Sequence, residues 1–484
     1  MQVKTTPYKH QKEVFERSKD APYFGLFLEQ GTGKTLVGIA TFTHLFTEGK
    51  INGVLITAPN GVHDNWTRIE IPKHCILEPN RDMHIATWHS TDGAKKMKRW
   101  DWVANQSPTN SLAVLAANVE AVRTESFWKS IDGFLKERNF MLIVDESTVI
   151  KNPKAQQSKN CHFLAESATY TRIMTGTPIT QSPLDLWSQC RVLSKEALPY
   201  RSWTAFKHEF AIEQVQYMGQ RSFNQIVGYK NQDLLAQLIE PFTYRVLKKD
   251  CLDLPPKVYQ TRFVELTAEQ KRVYKDLGAQ CLATLGDGKG MVTVTTVITM
   301  LLRMHQIVLG YVPNDDPKEM VRIPHNRIRV LLDLLEENPS KAVIFCRFLE
   351  DIHQLKEALP AHSFVCYTGE VGAGERTCAI DQFQTNEDTR YFLATSAAAR
   401  GLTLTAAEQV VYYSQGYSLE TRLQSEDRAH RSGQTKTVVY TDLCSAGTVE
   451  DAIVQALQAK KELAASVMDK KAVAVMLGLD NDQS

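Results

Sequence analysis

A glycine-rich segment near the N-terminus has the residue types that bind phosphate groups. Residues 31–35 are Gly-Thr-Gly-Lys-Thr, and they lie between an apolar run ending at Leu28 and a helical pattern starting at Leu36. Glycines let successive backbone N–H groups converge on phosphate oxygens, and a helix N-terminus favours anions. Lys34 is expected to reach the terminal phosphates and Thr35 to coordinate Mg²⁺. Leu28 replaces the usual first glycine, and a glycine-rich strand-to-helix turn is the alternative.

A pair of carboxylates follows the apolar run of residues 141–144, Met-Leu-Ile-Val. Such a run predicts a buried strand, and open α/β sheets place ligands at the carboxyl ends of their strands. Asp145 is the candidate ligand of hydrated Mg²⁺, and Glu146 is the candidate group that orients or deprotonates an attacking water. A solvated turn with no role in chemistry is the alternative.

Two arginines near the other end of the chain could stabilise a transferring phosphoryl group. Arg428 and Arg431 have i, i+3 spacing, which puts them on one face of a predicted helix. Their planar and permanently charged guanidinium groups suit the negative charge of that transition state. Arg431 is the preferred candidate for an arginine finger. The alternative is that both arginines form surface salt bridges.

The elements that would position these residues are two series of short apolar runs, which alternate with helical patterns. The first series lies between residue 24 and about residue 180, and the second begins near residue 341. Strands alternating with helices predict buried parallel sheets with crossover helices. The predicted fold class is therefore α/β, with two lobes, helical insertions and a C-terminal helix.

The predicted domain limits follow from the same pattern. The N-terminal lobe is expected at residues 1–250, with a helical insertion at about 184–250. The C-terminal lobe is expected at residues 251–484, with a helical insertion at about 266–329 and a terminal helix at about 449–478.

Composition indicates a globular protein with reduced thiols. The 484 residues are 43% hydrophobic and 23% charged, and 56 Lys plus Arg nearly balance 55 Asp plus Glu, so net charge is neutral evidence on nucleic-acid binding. The nine cysteines are scattered and never spaced Cys-x-x-Cys. No signal peptide and no apolar run of membrane-spanning length is evident. We expect a cytoplasmic protein of a bacterial or infected host cell.

The most specific block of the sequence is residues 424–434, Gln-Ser-Glu-Asp-Arg-Ala-His-Arg-Ser-Gly-Gln. It closely resembles the last motif of the Swi/Snf-type helicase-like ATPases of superfamily two. Further segments match that family in the same order: residues 57–60 with 65–66, 145–146 with 151–152, 175–178, 254–257 and 395–407. The resemblance covers nearly the whole chain and implies two RecA-like lobes that hydrolyse ATP with Mg²⁺ in the cleft between them.

The resemblance also implies roles for residues outside the first motifs. Gln11 would recognise adenine through the paired donor and acceptor of its amide, although a polar helix residue is the alternative. The implied nucleotide-binding residues are Gln11, Gly31, Thr32, Gly33, Lys34, Thr35, Gly401 and Gln424.

A third group would contact the nucleic-acid backbone or couple it to ATP. These residues are Thr57, Pro59, Thr175, Thr177, Arg347 and Thr395. Short hydroxyl side chains and exposed N–H groups suit phosphate contacts that read no bases. Turn chemistry at strand ends is the alternative for the threonines.

The chain departs from the family pattern at three places, and the first two bear on coupling. Residues 147–148 are Ser-Thr where relatives usually carry Gly-His, and Thr403 stands where they usually have Asn. Residues 412–418 lack the acidic and Trp-Asn-Pro elements of the corresponding family segment. No role is transferred to Ser414 or Gln415.

The resemblance implies a monomeric ATPase that moves along double-stranded DNA without reading its sequence. One alternative is a helicase that separates strands or remodels forked or branched DNA, but no aromatic hairpin is evident in the sequence to act as a pin. Another is a nucleotide-gated DNA-binding switch with little turnover. No bromodomain-like, chromodomain-like or zinc-finger segment is evident, so a role in nucleosome remodelling is not expected.

Overall fold

A computed structural model describes the chain except for residues 61, 90–93, 219–220, 252–253, 287–293, 314–319, 396–401, 432 and 469–484. The chain divides into two compact units. One unit contains Met1–Asp253 and the segment that begins at Lys460, and the other contains Leu254–Ala459. Within the described part of the chain, residues 460–468 therefore group with the first unit, whereas the sequence pattern assigns them to the C-terminal lobe. The half-buried Lys460 lies close enough to Asp185 and Lys151 of the first unit for their charges to act on its pKa.

The first unit is built on a seven-stranded sheet in the order β3-β4-β2-β5-β6-β1-β9, with every pair of neighbours parallel. The strands of this unit are β1 (Tyr23–Leu28), β2 (Gly53–Ala58), β3 (Met83–Thr87), β4 (Leu112–Asn118), β5 (Phe140–Asp145), β6 (Tyr170–Met174), β7 (Ala211–Met218), β8 (Arg221–Tyr229) and β9 (Thr243–Val246). Parallel strands covered on both faces read as continuous apolar runs, which is why the sequence pattern located β1, β2 and β5.

Helices cover both faces of this sheet, and alternate strand residues enter two apolar clusters. Leu142 and Val144 of β5 pack in one cluster, and Met141 and Ile143 pack in the other. The helices are α1 (Lys9–Ser18), α2 (Lys34–Thr47), α3 (Val62–Asn65), α4 (Ile71–His74), α5 (Ala94–Asn105), α6 (Glu125–Ser130), α7 (Asp132–Glu137), α8 (Gln156–Ser167), α9 (Asp185–Leu193), α10 (Trp203–Phe210), α11 (Gln232–Ile239) and α12 (Lys248–Cys251).

The insertion at about 184–250 is not wholly helical, contrary to the sequence prediction. Strands β7 and β8 form an antiparallel hairpin between α10 and α11, with a register irregularity between Ile212 and Glu213. β-branched and aromatic residues such as Val215, Tyr217 and Ile226 favour strands. Their alternation with polar residues is the signal that the helical interpretation overlooked.

The second unit contains a six-stranded parallel sheet in the order β10-β17-β16-β13-β15-β14. Its strands are β10 (Lys257–Phe263), β11 (Tyr311–Pro313), β12 (Met320–Arg322), β13 (Ala342–Cys346), β14 (Phe364–Tyr367), β15 (Tyr391–Thr395), β16 (Gln409–Tyr412) and β17 (Val438–Cys444). Strands β11 and β12 form a separate antiparallel pair. The predicted fold class, two α/β lobes built on parallel sheets, is confirmed.

The helices of the second unit and of the chain's end are α13 (Ala268–Gly286), α14 (Val294–Val308), α15 (Arg327–Glu337), α16 (Leu349–Ala358), α17 (Ala373–Thr385), α18 (Leu419–Ala429) and α19 (Val449–Met468). The insertion predicted at about 266–329 contains α13 and α14, together with the β11–β12 pair. The predicted terminal helix coincides with α19 as far as Met468, and its remaining residues lie outside the described part of the chain. Among the described residues, no helix has the length and apolarity that crossing a membrane requires.

An ionic network inside the second unit holds α18, the helix of the 424–434 block. The Glu426 carboxylate accepts hydrogen bonds from Arg422 Nε at 2.9 Å, Lys257 Nζ at 3.1 Å and the Tyr259 hydroxyl at 2.7 Å. Burial raises the pKa of Glu426, but the positive charges of Lys257 and Arg422 outweigh burial and leave it below its ordinary value. The network thus joins α18 to β10. The contact is made by Lys257, which is the first residue of β10 and the last residue of the 254–257 family segment.

We expect Glu426→Gln to lower the free energy of unfolding of the second unit by about 3 kcal/mol. The substitution removes the buried carboxylate that Lys257 and Arg422 share, and leaves Lys257 with Asp427 and Arg422 with Asp442 as remaining counter-charges. Because the folded-state pKa of Glu426 is depressed, the stabilisation is present above the unfolded pKa of about 4.3 and is lost as pH falls through the folded value. Denaturation of the wild type and the variant between pH 3 and pH 7 tests this expectation.

Glu408→Gln is the matched control, because Glu408 pairs with the exposed Lys436 at the surface. Its cost should stay below about 1 kcal/mol. Equal costs for the two substitutions, or an unchanged pH dependence in Glu426→Gln, would contradict the role of the network.

Candidate functional site: a phosphate-binding loop and its neighbours

The glycine-rich loop connects β1 to α2 in the first unit. Its backbone turns at Gly31 and Gly33, with φ of +83° and +92°, a left-handed region that favours glycine. The Thr32 hydroxyl donates to the Glu29 carbonyl at 2.7 Å and stabilises the turn. Helix α2 begins at Lys34, so the free N–H groups of its first turn adjoin the loop. This is the strand–loop–helix arrangement that the sequence motif predicts.

Lys34 directs its ammonium group back toward the loop. The Nζ atom donates to the Leu28 carbonyl at 2.9 Å and lies 3.5 Å from the Glu29 carbonyl, and the residue is buried. Thr35, the next residue of α2, is half-buried. The ammonium group of Lys34 therefore lies beside carbonyl groups of the loop. The oxygens of a bound phosphate could replace these carbonyls as its hydrogen-bond acceptors.

Gln11 of α1 contacts the same loop. Its Nε2 donates to the Thr32 carbonyl at 3.0 Å, and its Oε1 accepts from the Tyr8 N–H at 2.9 Å. A Cβ atom built on Gly33 would lie 2.1 Å from Gln11 Nε2, so only glycine permits this approach. These bonds use one donor and one acceptor site of the amide, which retains one further donor and one acceptor site. Adenine recognition by Gln11 stays a prediction.

Asp145 ends β5 at the carboxyl edge of the sheet, two strands from β1. One carboxylate oxygen accepts from Trp66 Nε1 at 2.8 Å and the other from the Glu146 N–H at 2.9 Å. Burial raises the pKa of Asp145, whereas the Trp66 hydrogen bond and the Lys34 charge act in the opposite direction. The sequence identifies Trp66 only as part of a segment that matches the family, although a buried indole N–H needs an acceptor and so signals a polar partner.

Glu146 has a left-handed backbone with φ of +49°, which is uncommon for a residue with a side chain. Its carboxylate lies 3.4 Å from both Gln30 Nε2 of the loop and the Thr175 hydroxyl. The structure thus brings together Glu146, the glycine-rich loop and the 175–178 segment. Gln30 is the loop residue that the sequence analysis left without a role.

The segments expected to contact nucleic acid are mostly buried. Thr57 and Thr175 have no exposed surface, and Thr57 Oγ1 lies 3.5 Å from the Ile143 carbonyl. Pro59 is buried and Thr177 is half-buried, and the Thr177 N–H donates to Thr175 Oγ1 at 3.1 Å. The hydroxyl groups of Thr57 and Thr175 therefore serve internal bonds here. Their role in coupling stays a prediction.

Close backbone approach ties the 175–178 segment to the loop. A Cβ atom on Gly176 would lie 3.2 Å from the Gln30 nitrogen and 3.3 Å from Glu29 Cα. The segment and the loop therefore lie in direct backbone contact, and a side chain at position 176 would crowd the loop.

Helix α18 of the second unit ends at Ala429, so Arg431 does not share a helix face with Arg428 as the i, i+3 spacing predicts. The backbone leaves the helix at His430, whose ring bonds the Pro255 carbonyl at 2.8 Å, and Gly433 follows with φ of +100°. The His430–Pro255 bond and the turn at Gly433 accompany the end of the helix before Arg431. Neither feature can be inferred from the spacing of the two arginines.

The two arginines consequently differ in environment. Arg428 is buried and donates to the carbonyls of Gln424 at 3.0 Å and Leu402 at 3.3 Å. Arg431 is half-buried, and its Nη1 donates to the hydroxyl of Thr403 at 3.1 Å. Position 403 is the one at which the chain departs from the family's Asn.

The remaining predicted residues of the second unit are dispersed. Gln424 is buried on α18 and donates to Glu420 at 3.2 Å. Arg347 follows β13 and has its guanidinium 2.9 Å from His305 Nδ1, and burial lowers its pKa. Thr395 is the half-buried last residue of β15. Gly401 lies outside the described residues.

Two α/β units, one with a phosphate-binding loop and a buried strand-end carboxylate, define a P-loop NTPase-like class of protein. A family model described as "SNF2-related domain" matches residues 24–309, more than half of the chain, and a second described as "Helicase conserved C-terminal domain" matches residues 326–433. The chain therefore belongs to the SNF2-related family, the Swi/Snf-type helicase-like ATPases of superfamily two. This confirms the resemblance seen in the sequence.

The chain is similar to YwqA of Bacillus subtilis, which is named for a proposed ATP-dependent helicase or translocase activity. The two are 26% identical over 452 residues, covering 90% of this chain and 45% of YwqA. This chain is also 27% identical over 449 residues to the human DNA annealing helicase and endonuclease ZRANB3, and the match covers 91% of this chain and 38% of ZRANB3. The chain thus spans less than half the length of these curated relatives.

Among solved structures, the chain is similar to the SWI2/SNF2 ATPase core of Sulfolobus solfataricus in complex with double-stranded DNA. The identity is 24%, the coverage is 99% of this chain and 97% of that chain, and the TM-score is 0.43.

We expect Gly33→Ala to lower the free energy of unfolding of the first unit by about 2 to 3 kcal/mol. The left-handed backbone costs about 1 to 2 kcal/mol with a side chain, and displacing the Gln11 amide removes a hydrogen bond of about 1 kcal/mol. Gly49→Ala is the matched control, since Gly49 has φ of +67° and no described atom within 4 Å of its Cβ position. Chemical denaturation measures both costs.

Repeating both substitutions in a Gln11→Ala variant isolates the cost of displacing the Gln11 amide. There the costs of Gly33→Ala and Gly49→Ala should become equal within about 0.5 kcal/mol, because the displaced amide is gone. A difference that persists in that background would contradict the assigned contact.

Proposed function

We propose that this chain is a DNA-dependent ATPase that translocates on double-stranded DNA. The observation that carries the proposal is the convergence of Lys34, Asp145 and Glu146 on the glycine-rich loop, in a chain of the SNF2-related family. In this proposal the loop amides and Lys34 hold the nucleotide phosphates, and Gln11 contacts the adenine.

Thr35 and Asp145 are the residues that would hold Mg²⁺, which supplies positive charge to neutralise the phosphates. The donor set fits a hard cation, because a hydroxyl and a carboxylate are oxygen ligands. The environment of Asp145 also fits, since a cation beside a buried carboxyl favours the ionised form that burial opposes. Glu146 would orient the attacking water from its position beside Gln30 and Thr175.

Arg431 would stabilise the charge of the transferring phosphoryl group, which requires the two units to act on one nucleotide during turnover. Arg428 has a different role in the proposal, because its guanidinium is buried and bonded to backbone carbonyls. It would hold the end of α18 from which Arg431 extends.

Lys34→Ala and Glu146→Gln should abolish DNA-stimulated ATP hydrolysis, and Arg431→Ala should lower turnover by about 1000-fold while ATP binding persists. Lys34 and Glu146 act on the phosphates and the water, whereas Arg431 acts on transition-state charge. Steady-state phosphate release and equilibrium binding of a fluorescent ATP analogue measure the two effects. Lys436→Ala is the control, because Lys436 is a surface cation paired with Glu408.

An Arg431→Ala enzyme with normal turnover would exclude the arginine-finger role. A wild-type enzyme that binds ATP and DNA without releasing phosphate would favour the nucleotide-gated switch. ATPase stimulation by duplex, single-stranded, forked and RNA substrates tests the substrate class. Stimulation by single strands alone would contradict movement along duplex DNA.

A second candidate, strand separation at forks or branches, is favoured by the β7–β8 hairpin. Tyr217 near its tip is 80% exposed, and Val215, Ile226 and Val227 are also exposed. An exposed aromatic ring on a stiff antiparallel ribbon can stack on an unpaired base, an interaction worth about 1 to 3 kcal/mol. The sequence does not mark this hairpin, so its exposed aromatic residue supports the alternative from the structure alone.

If the hairpin separates strands, Tyr217→Ala should reduce fork unwinding by about tenfold with unchanged duplex-stimulated ATP hydrolysis. Phe163→Ala is the matched control, because Phe163 of α8 is an exposed aromatic residue of the same unit outside the hairpin. Forked DNA with a fluorophore and a quencher reports separation directly. A wild-type chain that hydrolyses ATP but separates no fork would eliminate this candidate.

A further inference from the structure

Two histidines and an aspartate converge beside the sheet of the first unit, in side chains to which the ATPase proposal gives no role. His63 and Asp64 lie on α3, which follows β2, and His89 lies two residues after β3. The carboxyl ends of parallel strands share one edge of a sheet, so the segments that follow β2 and β3 emerge near each other.

The distances among the three side chains suit a shared ion. His89 Nε2 lies 3.1 Å from one oxygen of Asp64, and His63 Nε2 lies 4.0 Å from the other. One ligand atom from each residue lies within 4.8 Å of the other two. Ligands about 2.1 Å from a tetrahedral metal ion are about 3.4 Å apart, so small side-chain rotations would complete the geometry.

The buried polar atoms of the cluster also indicate a missing partner. His63 is 1% exposed, and neither of its ring nitrogens makes a hydrogen bond within the described part of the chain. The backbone carbonyls of Pro59 and Trp88 are close enough to the ring to raise its pKa as hydrogen-bond acceptors, although neither ring nitrogen has a partner at full hydrogen-bond geometry. A buried nitrogen atom left unsatisfied costs about 1 to 3 kcal/mol, and an ion that accepts the lone pair of one ring nitrogen removes that cost while the other nitrogen keeps its N–H for a nearby carbonyl.

Other groups around Asp64 leave its carboxylate available. The oxygen that lies 3.1 Å from His89 Nε2 also lies 3.4 Å from Arg68 Nε, and both contacts are ion pairs without full hydrogen-bond geometry. The Arg68 side chain is 66% exposed and can turn into solvent. The segments carrying the ligands are already joined, because the hydroxyl groups of Thr67 and Thr87 are 2.8 Å apart. The ligands therefore belong to a preformed frame.

We propose that His63, Asp64 and His89 bind one divalent first-row transition-metal ion of the Zn²⁺ class. Two imidazole nitrogens and one carboxylate oxygen suit Zn²⁺ or Co²⁺ and do not suit Mg²⁺, which takes oxygen ligands. The ion joins α3 to the end of β3, and Trp66, which donates to Asp145, follows α3 directly. The site is separate from the Mg²⁺ proposed at Thr35 and Asp145, and it does not depend on ATP hydrolysis.

The test is titration of the full chain with Co²⁺, after treatment with a chelator, in the presence of excess Mg²⁺. Visible absorption should show about one tetrahedral Co²⁺ per chain, and Zn²⁺ should displace it. His89→Gln and Asp64→Asn should each weaken binding by about 100-fold, as expected for the loss of a direct ligand. His84→Gln is the matched control, because His84 is a buried histidine of β3 outside the cluster.

His89→Cys distinguishes a ligand from a residue needed only for folding. A thiolate at position 89 keeps the site complete and adds a sulfur-to-cobalt charge-transfer band, which no structural role of the histidine would produce. Co²⁺ binding that is the same in wild type, His89→Gln and Asp64→Asn would overturn the proposal, as would its absence from wild type. Loss of binding in His84→Gln to the same extent, or His89→Cys that binds without the new band, would also overturn it.

Discussion

A buried carboxylate at the end of β5 links three segments of the first unit. Burying the charge of Asp145 is costly, so the surrounding structure supplies the indole N–H of Trp66, the following backbone N–H and the nearby ammonium of Lys34. The two hydrogen-bond donors and the Lys34 charge come from three different segments. The end of β5, the start of α2 and the turn that carries Trp66 must therefore keep their relative positions. Their combined effect still leaves the pKa of Asp145 raised, which makes a further cation favourable there.

Left-handed backbone near Asp145 occurs both at glycines and at Glu146, which has a full side chain. In the glycine-rich loop the left-handed residues are glycines, which adopt that conformation without a steric cost. Glu146 adopts it with a full side chain, at a cost of about 1 kcal/mol or more. The unusual conformation directs its carboxylate toward Gln30 and Thr175. Strain of this kind concentrates at functional sites, where the gain in placement outweighs the loss of stability.

The same reasoning explains how much of the fold could be predicted. Buried parallel strands have continuous apolar sequences, so both sheets and the strand ends that carry Asp145 and Thr395 followed from local pattern. The end of α18 did not, because Gly433 and the bond from His430 to the Pro255 carbonyl stop the helix before Arg431. The β7–β8 hairpin was missed because its alternation is short and lies between helices.

The sequence by itself determined the fold class and the family, and it predicted which residues bind phosphate and Mg²⁺, because these depend on residue type, spacing and order. Only the tertiary structure decided which side chains meet. It joined Gln11 to the loop, Trp66 to Asp145 and Glu426 to Lys257, and it brought His89 to Asp64. These partners are 21 to 169 residues apart along the chain for the hydrogen-bonded pairs. Contacts at such separations arise from the order of strands in a sheet, which local patterns do not specify.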